Sequence, residues 1–289
     1  MAERPLRFGV SITPDAHDLA GGVTLARAAE AAGLDLIAVQ DHPYQPGHLD
    51  APLFVGHLAA RTDRVRFMTG VADLALRPAP MLAKAAATLD VLTGGRFELG
   101  VGTGGFPDAV AGMGGTPWRG AAAVTAAGEA LRILRAALRA DAPVVLDGEH
   151  HRVGGYRPGP PRPVPIWLGA QGPRMLGVLG ALADGWVSPL NIYVPPAEVP
   201  ARQAAIDAAA ERAGRDPSAV GRLYNVLGAI GAGAGQGLSG DSATWARVLA
   251  GWAHDLRFDT FVFWPVADHV NQVRRFADEV VPRVRELTG

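Results

Sequence analysis

Cysteine is absent from the 289-residue sequence. That excludes disulfides and every metal site built on thiolates. A basic block is missing too. The 27 Lys and Arg residues are balanced by 28 Asp and Glu, so nucleic acid is not an expected partner. No apolar run reaches the length of a membrane span. The start, Met1-Ala-Glu-Arg-Pro5, lacks the apolar core of a signal peptide. These absences predict a cytoplasmic protein that needs neither membrane nor metal. The length suits one large α/β domain or two small ones.

What is present is a repeating alternation of short apolar runs and alanine-rich stretches. Strands are predicted at Arg7–Ile12, Leu36–Val39, Val65–Val71, Phe97–Val101, Ile166–Gly169, Asp184–Ser188, Leu223–Ile230 and Thr260–Trp264. Helices are predicted between them, at 24–32, 52–62, 80–92, 121–140, 174–183, 200–213, 244–254 and 270–287. Strand starts recur roughly every thirty residues, the length of a βα unit. Eight such units in about 250 residues predict a (β/α)8 TIM barrel, with an open doubly wound sheet as the competing arrangement. The one long gap, after the fourth unit, holds a long helix and Val144–Val153, which reads as a small β-hairpin turning at Asp147-Gly148. No linker divides the chain, so residues 1–289 are expected to form one domain. The glycine run from Gly228 to Gly240 falls inside a βα connection and is read as a mobile loop.

The stretch Thr88–Gly105 organises the reading. A helix end meets Gly94-Gly95, where a left-handed residue can close it. Phe97, Leu99 and Val101 then alternate as in a strand, and Gly102-Thr103-Gly104-Gly105 follows with almost no side chain. Taken alone, these glycines suit either a cofactor loop or a plain βα turn.

A barrel collects its active site at the carboxyl ends of its strands. That rule gathers Asp41-His42, Thr69–Asp73, Gly102–Gly105, Gly169–Arg174, Ser188–Asn191 and Trp264. His42 can give or take a proton near neutral pH. Gly169-Ala170-Gln171-Gly172-Pro173-Arg174 opens a helix, whose free N–H groups and dipole suit a phosphate. Trp118 and Trp264 each stand near a predicted barrel mouth, where they could line an apolar substrate pocket or simply pack. Glu149-His150-His151 does not read as a metal site, because adjacent strand residues point to opposite faces. His254 and His269 read as surface or helix-end residues. Arg132, Arg135 and Arg139 read as a solvated helix face.

Four segments together carry a family resemblance: Gly33–His42, Arg77–Asp90, Leu92–Gly104 and Ala183–Trp186. In their order and spacing the chain resembles the bacterial luciferase-like superfamily of flavin and deazaflavin oxidoreductases, over nearly its whole length. The resemblance implies a TIM barrel with a cofactor ring in its mouth. It implies His42 as proton donor or acceptor, with Asp41 orienting or polarising nearby groups. It also implies a non-proline cis peptide at Gly70-Val71, with Val71 behind the ring and Ala72 next to it. Gly102, Thr103 and Gly104 would wall the ring or its side chain, and the segment Gly169–Arg174 would hold the phosphate.

Within the resemblance the leading expectation is hydride transfer between a deazaflavin, coenzyme F-420, and a small organic substrate. Some deazaflavin relatives carry a glutamate where this chain has Gly105, which leaves a proton-relay acid there in doubt. One alternative is an FMN-dependent monooxygenase supplied with reduced flavin by a separate reductase. Another is a non-catalytic flavin-binding protein, against which the retained His42 argues. A sugar-phosphate TIM-barrel enzyme would use the same phosphate loop, but no lysine or carboxylate pair stands at clear strand ends. A homodimer is the expected assembly.

Overall fold

Among the described residues, eight parallel strands close into a ring, and four more sit beside or outside it. The computed structural model describes residues 4–231 and 236–289. The first half contains β1 (Arg7–Ile12), α1 (Leu19–Ala31), β2 (Leu36–Val39), α2 (Ala51–Ala59), β3 (Arg66–Thr69), β4 (Ala72–Asp73), α3 (Ala79–Thr93) and β5 (Phe97–Gly102). Then come α4 (Pro107–Gly112), α5 (Gly120–Arg139), β6 (Val144–Asp147), β7 (Arg152–Tyr156), β8 (Ile166–Gly169) and α6 (Pro173–Leu182). The last part holds β9 (Gly185–Leu190), α7 (Val199–Arg212), β10 (Gly221–Ile230), β11 (Leu238–Gly240), α8 (Ser242–Asp255), β12 (Thr260–Pro265), α9 (His269–Arg275) and α10 (Val281–Thr288). The barrel order is β1-β2-β3-β5-β8-β9-β10-β12, and β12 pairs back to β1 in parallel. This is the expected TIM barrel.

The β6–β7 hairpin is antiparallel and stands apart from the barrel sheet, between the fourth and fifth barrel strands. Its turn residues Glu149, His150 and His151 are not strand residues, so alternation does not separate the two rings as the sequence suggested. The Glu129 carboxylate of α5 accepts all three of their backbone N–H groups. Helix α1 starts five residues before its predicted start. Asp18 caps it by accepting from Gly21 N at 2.8 Å, and the helix runs through Gly21-Gly22, which look like breakers in sequence. The predicted helix 270–287 is α9 and α10 joined by a π-helical turn at Phe276–Val280. The glycine run 228–240 is not all loop. Gly228–Ile230 pairs with Leu238–Gly240 in parallel, and residues 232–235 lie outside the described residues.

Period-two alternation sorts the barrel strands into two faces. Phe8, Val10 and Ile12 of β1, Ile37 and Val39 of β2, and Phe97, Leu99 and Val101 of β5 join the large core beneath the helices. The opposite face supplies a second cluster inside the barrel: Leu36, Ala38, Met68, Trp167, Val187, Leu223 and Val262. Trp167 spans that interior. A Cβ at Gly185 or Gly221 would collide with its indole, so two strands give up side chains to admit one large one. At the amino end, Arg7 and Arg66 reach Glu98 at 2.8 and 2.6 Å. All three lie on inward positions, so an ion triad closes the floor. Burial alone would raise the Glu98 pKa, but the two guanidiniums outweigh it and hold the carboxyl below its ordinary range. Helix α3 ends as expected, with Gly94 at φ 64° and Gly95 at φ 85°. Among the described residues, no helix is long and apolar enough to cross a membrane.

Candidate active site at the carboxyl end of the barrel

The floor is filled, so chemistry is left to the opposite end. There β2 runs out into Gln40-Asp41-His42-Pro43. The Asp41 side chain is fully buried. Arg77 holds it bidentately, Nη2 to Oδ1 at 2.8 Å and Nε to Oδ2 at 2.9 Å. Asp41 Oδ2 also accepts from Asp73 N at 3.2 Å. Arg77 in turn reaches Asp50 Oδ2 at 2.7 Å, and Asp50 caps α2. One guanidinium therefore ties the exit of β2, the start of α2 and the segment after β4 together. Both Asp41 oxygens are engaged by Arg77 and Asp73 N.

That neighbour, His42, is half-buried. Its Nδ1 lies 2.7 Å from the Tyr44 hydroxyl, and Phe106 meets its ring edge-on at 5.7 Å. Burial and the nearby His48 lower the His42 pKa, against a smaller opposing pull from Asp41. Tyr44 is pushed up to about 12 by burial and by the Asp73 and Asp41 charges. At neutral pH the pair is therefore a neutral imidazole bonded to a neutral phenol. A phenol can donate to Nδ1 or accept from it, so either ring tautomer is supported and Nε2 can hold or lack a proton.

The Gly70-Val71 peptide is cis, at the place the resemblance implied. Gly70 N donates to Val39 O at 2.7 Å. Thr69 Oγ1 donates to Gly100 O at 2.7 Å and accepts from Gly100 N at 3.1 Å. A Cβ on Gly102 would stand 2.8 Å from Val71 Cγ2, and one on Gly169 would stand 3.2 Å from the same carbon. The two glycines therefore leave room for Val71 between the ends of β5 and β8. Ala72 is buried and pairs with Val101, next to that contact. Gly104 has φ 81°, and a Cβ there would lie 2.7 Å from Asp73 Oδ2. Thr103 stands between these glycines, half-buried.

The candidate phosphate segment leads into α6. Gly172 is its N-cap, Pro173 opens the helix, and no side chain caps it. Gly172, Pro173 and Arg174 are exposed, so the first turn of the helix is open to solvent. Trp186 Nε1 donates to Ala170 O at 2.9 Å, and Gln171 Nε2 donates to Tyr193 O at 3.1 Å. Trp186 thus holds the backbone of the segment from outside, and the segment's own Gln171 side chain holds the backbone at Tyr193. An uncapped helix start with an exposed arginine fits a phosphorylated ring cofactor.

The two tryptophans separate. Trp264 packs on the barrel-interior cluster together with Val71, and its Nε1 donates to Asn225 Oδ1 at 2.8 Å. Trp118 is placed elsewhere: its ring covers His150 and His151 of the hairpin turn at 5.8 and 5.2 Å. It also packs against the large core, which matches the packing alternative for this residue. Arg135 is not simply solvated either, since it donates to Leu182 O and pairs with Asp184 at 2.8 Å.

The geometry now stands beside the comparisons. A family model described as luciferase-like monooxygenase matches residues 5–260. The chain belongs to this family. It is 32% identical over 220 residues to the 5,10-methylenetetrahydromethanopterin reductase of Methanolobus tindarius, covering 74% of this chain and 63% of that one. It is 32% identical over 237 residues to the F-420-dependent glucose-6-phosphate dehydrogenase of Gordonia bronchialis, covering 76% and 68%. The chain thus spans less than two thirds of the length of the first relative. In fold it matches the coenzyme F-420 dependent tetrahydromethanopterin reductase of Methanopyrus kandleri, with a TM-score of 0.81 at 18% identity over 97% of this chain and 99% of that one.

Against this luciferase-like frame, three residues of the site went unassigned in sequence. Tyr44 and Phe106 flank His42 only once the loops after β2 and β5 meet. Arg77 lay inside a recognised segment without a role. Its one signal was a lone cation just before a Pro-Ala-Pro helix start, beside a strand end that carries a carboxylate.

Proposed function

We propose that the chain is an oxidoreductase that transfers a hydride between coenzyme F-420 and a small organic substrate. The observation that carries this reading is the His42–Tyr44 pair. It is a neutral, hydrogen-bonded imidazole held by the buried Asp41–Arg77 unit at the mouth where Val71, Gly102 and Gly169 meet. When bound, the deazaflavin supplies the hydride acceptor or donor. The chain's own residues manage the proton that moves with it. His42 takes a proton at Nε2 as a substrate is oxidised, or gives one as it is reduced, and Tyr44 compensates at Nδ1. Gly102, Thr103 and Gly104 border the cofactor, with Gly70, Val71 and Ala72 behind it. Gly169, Ala170, Gln171, Gly172, Pro173 and Arg174 hold its phosphate. Trp264 lines the substrate side.

One observation favours a second reading. Gly105 offers no acid where some deazaflavin relatives carry one, and an FMN-dependent monooxygenase would not need it. That enzyme would depend on a flavin reductase as partner. In either case the chain works as one barrel domain and as a homodimer in the cytoplasm. Exposed Leu53 of α2 and Met81 and Leu92 of α3, on helices that pack together, support the dimer.

Fluorescence titration of the purified protein with coenzyme F-420 and with FMN tests the assignment. F-420 binding with weak FMN binding is expected. Tight FMN binding without a response to F-420 transfers the function to the monooxygenase reading. A protein that binds neither has no such site.

A further inference from the structure

A cavity of about 330 Å³ opens between the end of β1, the start of α1 and the start of α9. Its size lies at the lower end of small-molecule pockets. Its inner end is the barrel mouth: Ser11, Gln40 and Trp264 line it there. Its outer rim carries Asp15, Asp18 and Asp268 together with His269. Among the described residues that line it there is no lysine or arginine. Asp15 and Asp18 each use Oδ1 on a local backbone N–H, and Asp268 uses Oδ2 on Asn271. Each keeps a second oxygen without a protein partner among the described residues.

The inner end holds an independent signal. Ser11 is 5% exposed, and its Oγ is buried without a hydrogen-bond partner. A buried hydroxyl without a partner is destabilising and calls for something to bond to it. Ser11 occupies an inward position of β1, so that hydroxyl lies at the top of the barrel interior rather than under a helix. Gln40 Nε2 is used on Thr13 Oγ1 at 2.8 Å, which leaves its Oε1 to accept. The wall between the two ends is apolar, formed by the Trp264 ring and Leu25.

We infer that this cavity is the substrate subsite, and that it takes a small amino alcohol or amino ketone, with the ammonium at the Asp15–Asp18–Asp268 rim; an alcohol's hydroxyl donates to Gln40 Oε1 and accepts from Ser11 Oγ, and a ketone's oxygen accepts from Ser11 Oγ. The inference deepens the proposed hydride transfer: the oxygen-bearing carbon is the one delivered to the mouth beside Trp264. The same rim repels a phosphate, so a sugar phosphate is the wrong substrate class for this chain.

Three probes test both ends: 5-aminopentan-1-ol, pentylamine and pentan-1-ol, titrated by calorimetry and by tryptophan fluorescence. The amino alcohol is expected to bind at least tenfold tighter than either single-ended probe. Its advantage over pentan-1-ol should shrink with added salt. The triple variant D15N/D18N/D268N should erase that advantage. It should also fold, because Asn caps a helix about as well as Asp and tolerates the left-handed backbone of residue 268. Ser11→Ala should erase the advantage over pentylamine. Equal binding of amino alcohol and pentan-1-ol by the unaltered protein overturns the inference, as does binding of none of the three. Coenzyme F-420 is titrated in parallel. Amino alcohol binding without a cofactor response leaves the cavity assigned and removes the redox reading. Cofactor binding without an amino alcohol response does the reverse.

Discussion

The Tyr44 hydroxyl stands 2.7 Å from His42 Nδ1, and among the described residues nothing else bonds that nitrogen. Burial and His48 keep the ring neutral, and the contact leaves Nε2 as its free nitrogen. His42→Ala should leave cofactor affinity within about tenfold but slow turnover by about 10²-fold or more, the scale of acid–base catalysis. Tyr44→Phe keeps the ring contacts and removes one hydrogen bond, so turnover should fall about five- to tenfold. Steady-state kinetics with the cofactor Kd measured alongside decides both. Unchanged turnover in His42→Ala removes the residue from the mechanism.

Burial and His48 hold the His42 pKa below its ordinary value of about 6.5. The unfolded chain therefore binds this proton at higher pH than the folded one, and His42 costs stability as pH falls below that value. The acid limb of the activity profile should lie below about pH 6.5. His48→Gln removes a like charge and should move the limb upward. Titration of the His42 ring resonances by NMR reads the shift directly.

Arg77 and Asp41 form a buried pair, and breaking one side strands the other. Arg77→Ala leaves a fully buried carboxylate without its cation, and about 3–5 kcal/mol of stability should be lost. Asp41→Asn combined with Arg77→Met removes both charges and should recover part of that loss. Urea denaturation of the two variants beside the wild type measures it. A single Arg77→Ala loss below about 1 kcal/mol would mean that the pair is solvated.

Glu98 gives an acid-side prediction. Its folded pKa is depressed, because the charges of Arg7 and Arg66 overcome its burial. The stabilisation is present above the ordinary glutamate value of about 4.3 and is lost as pH falls through the folded value. Thermal melts of the wild-type protein should drop in that window. Glu98→Gln, less stable at neutral pH, should show a shallower drop there.

Asp73 gives the opposite sign. Burial, then the Asp41 charge, raises its pKa against the hydrogen bond from Ala75 N. Folding therefore opposes its ionisation, and the cost appears as pH rises above the ordinary aspartate value of about 3.9. Asp73→Asn keeps an acceptor for Ala75 N and loses the charge. It should melt higher than wild type at neutral pH, and the two should converge below about pH 4. A variant that melts lower at neutral pH would mean the carboxylate is stabilised there.

The sequence by itself determined the barrel, because strand alternation, helix periodicity and βα spacing are local and repeat eight times. It also marked where His42 and Gly169–Arg174 would stand, since strand exits are readable from prolines and glycines, while the place of the Gly70-Val71 bond came from the family resemblance. Tertiary structure decided which of those exits touch. Tyr44 and Phe106 reach His42 from two loops, Arg77 reaches Asp41 from 36 positions away, and Glu98 collects two arginines from other strands. Trp118 and Trp264 look alike in sequence, yet one packs on the hairpin and the other on the barrel interior. Long-range pairing of charges and rings depends on loop paths and on inward or outward facing around a closed ring, which no local pattern along the chain encodes.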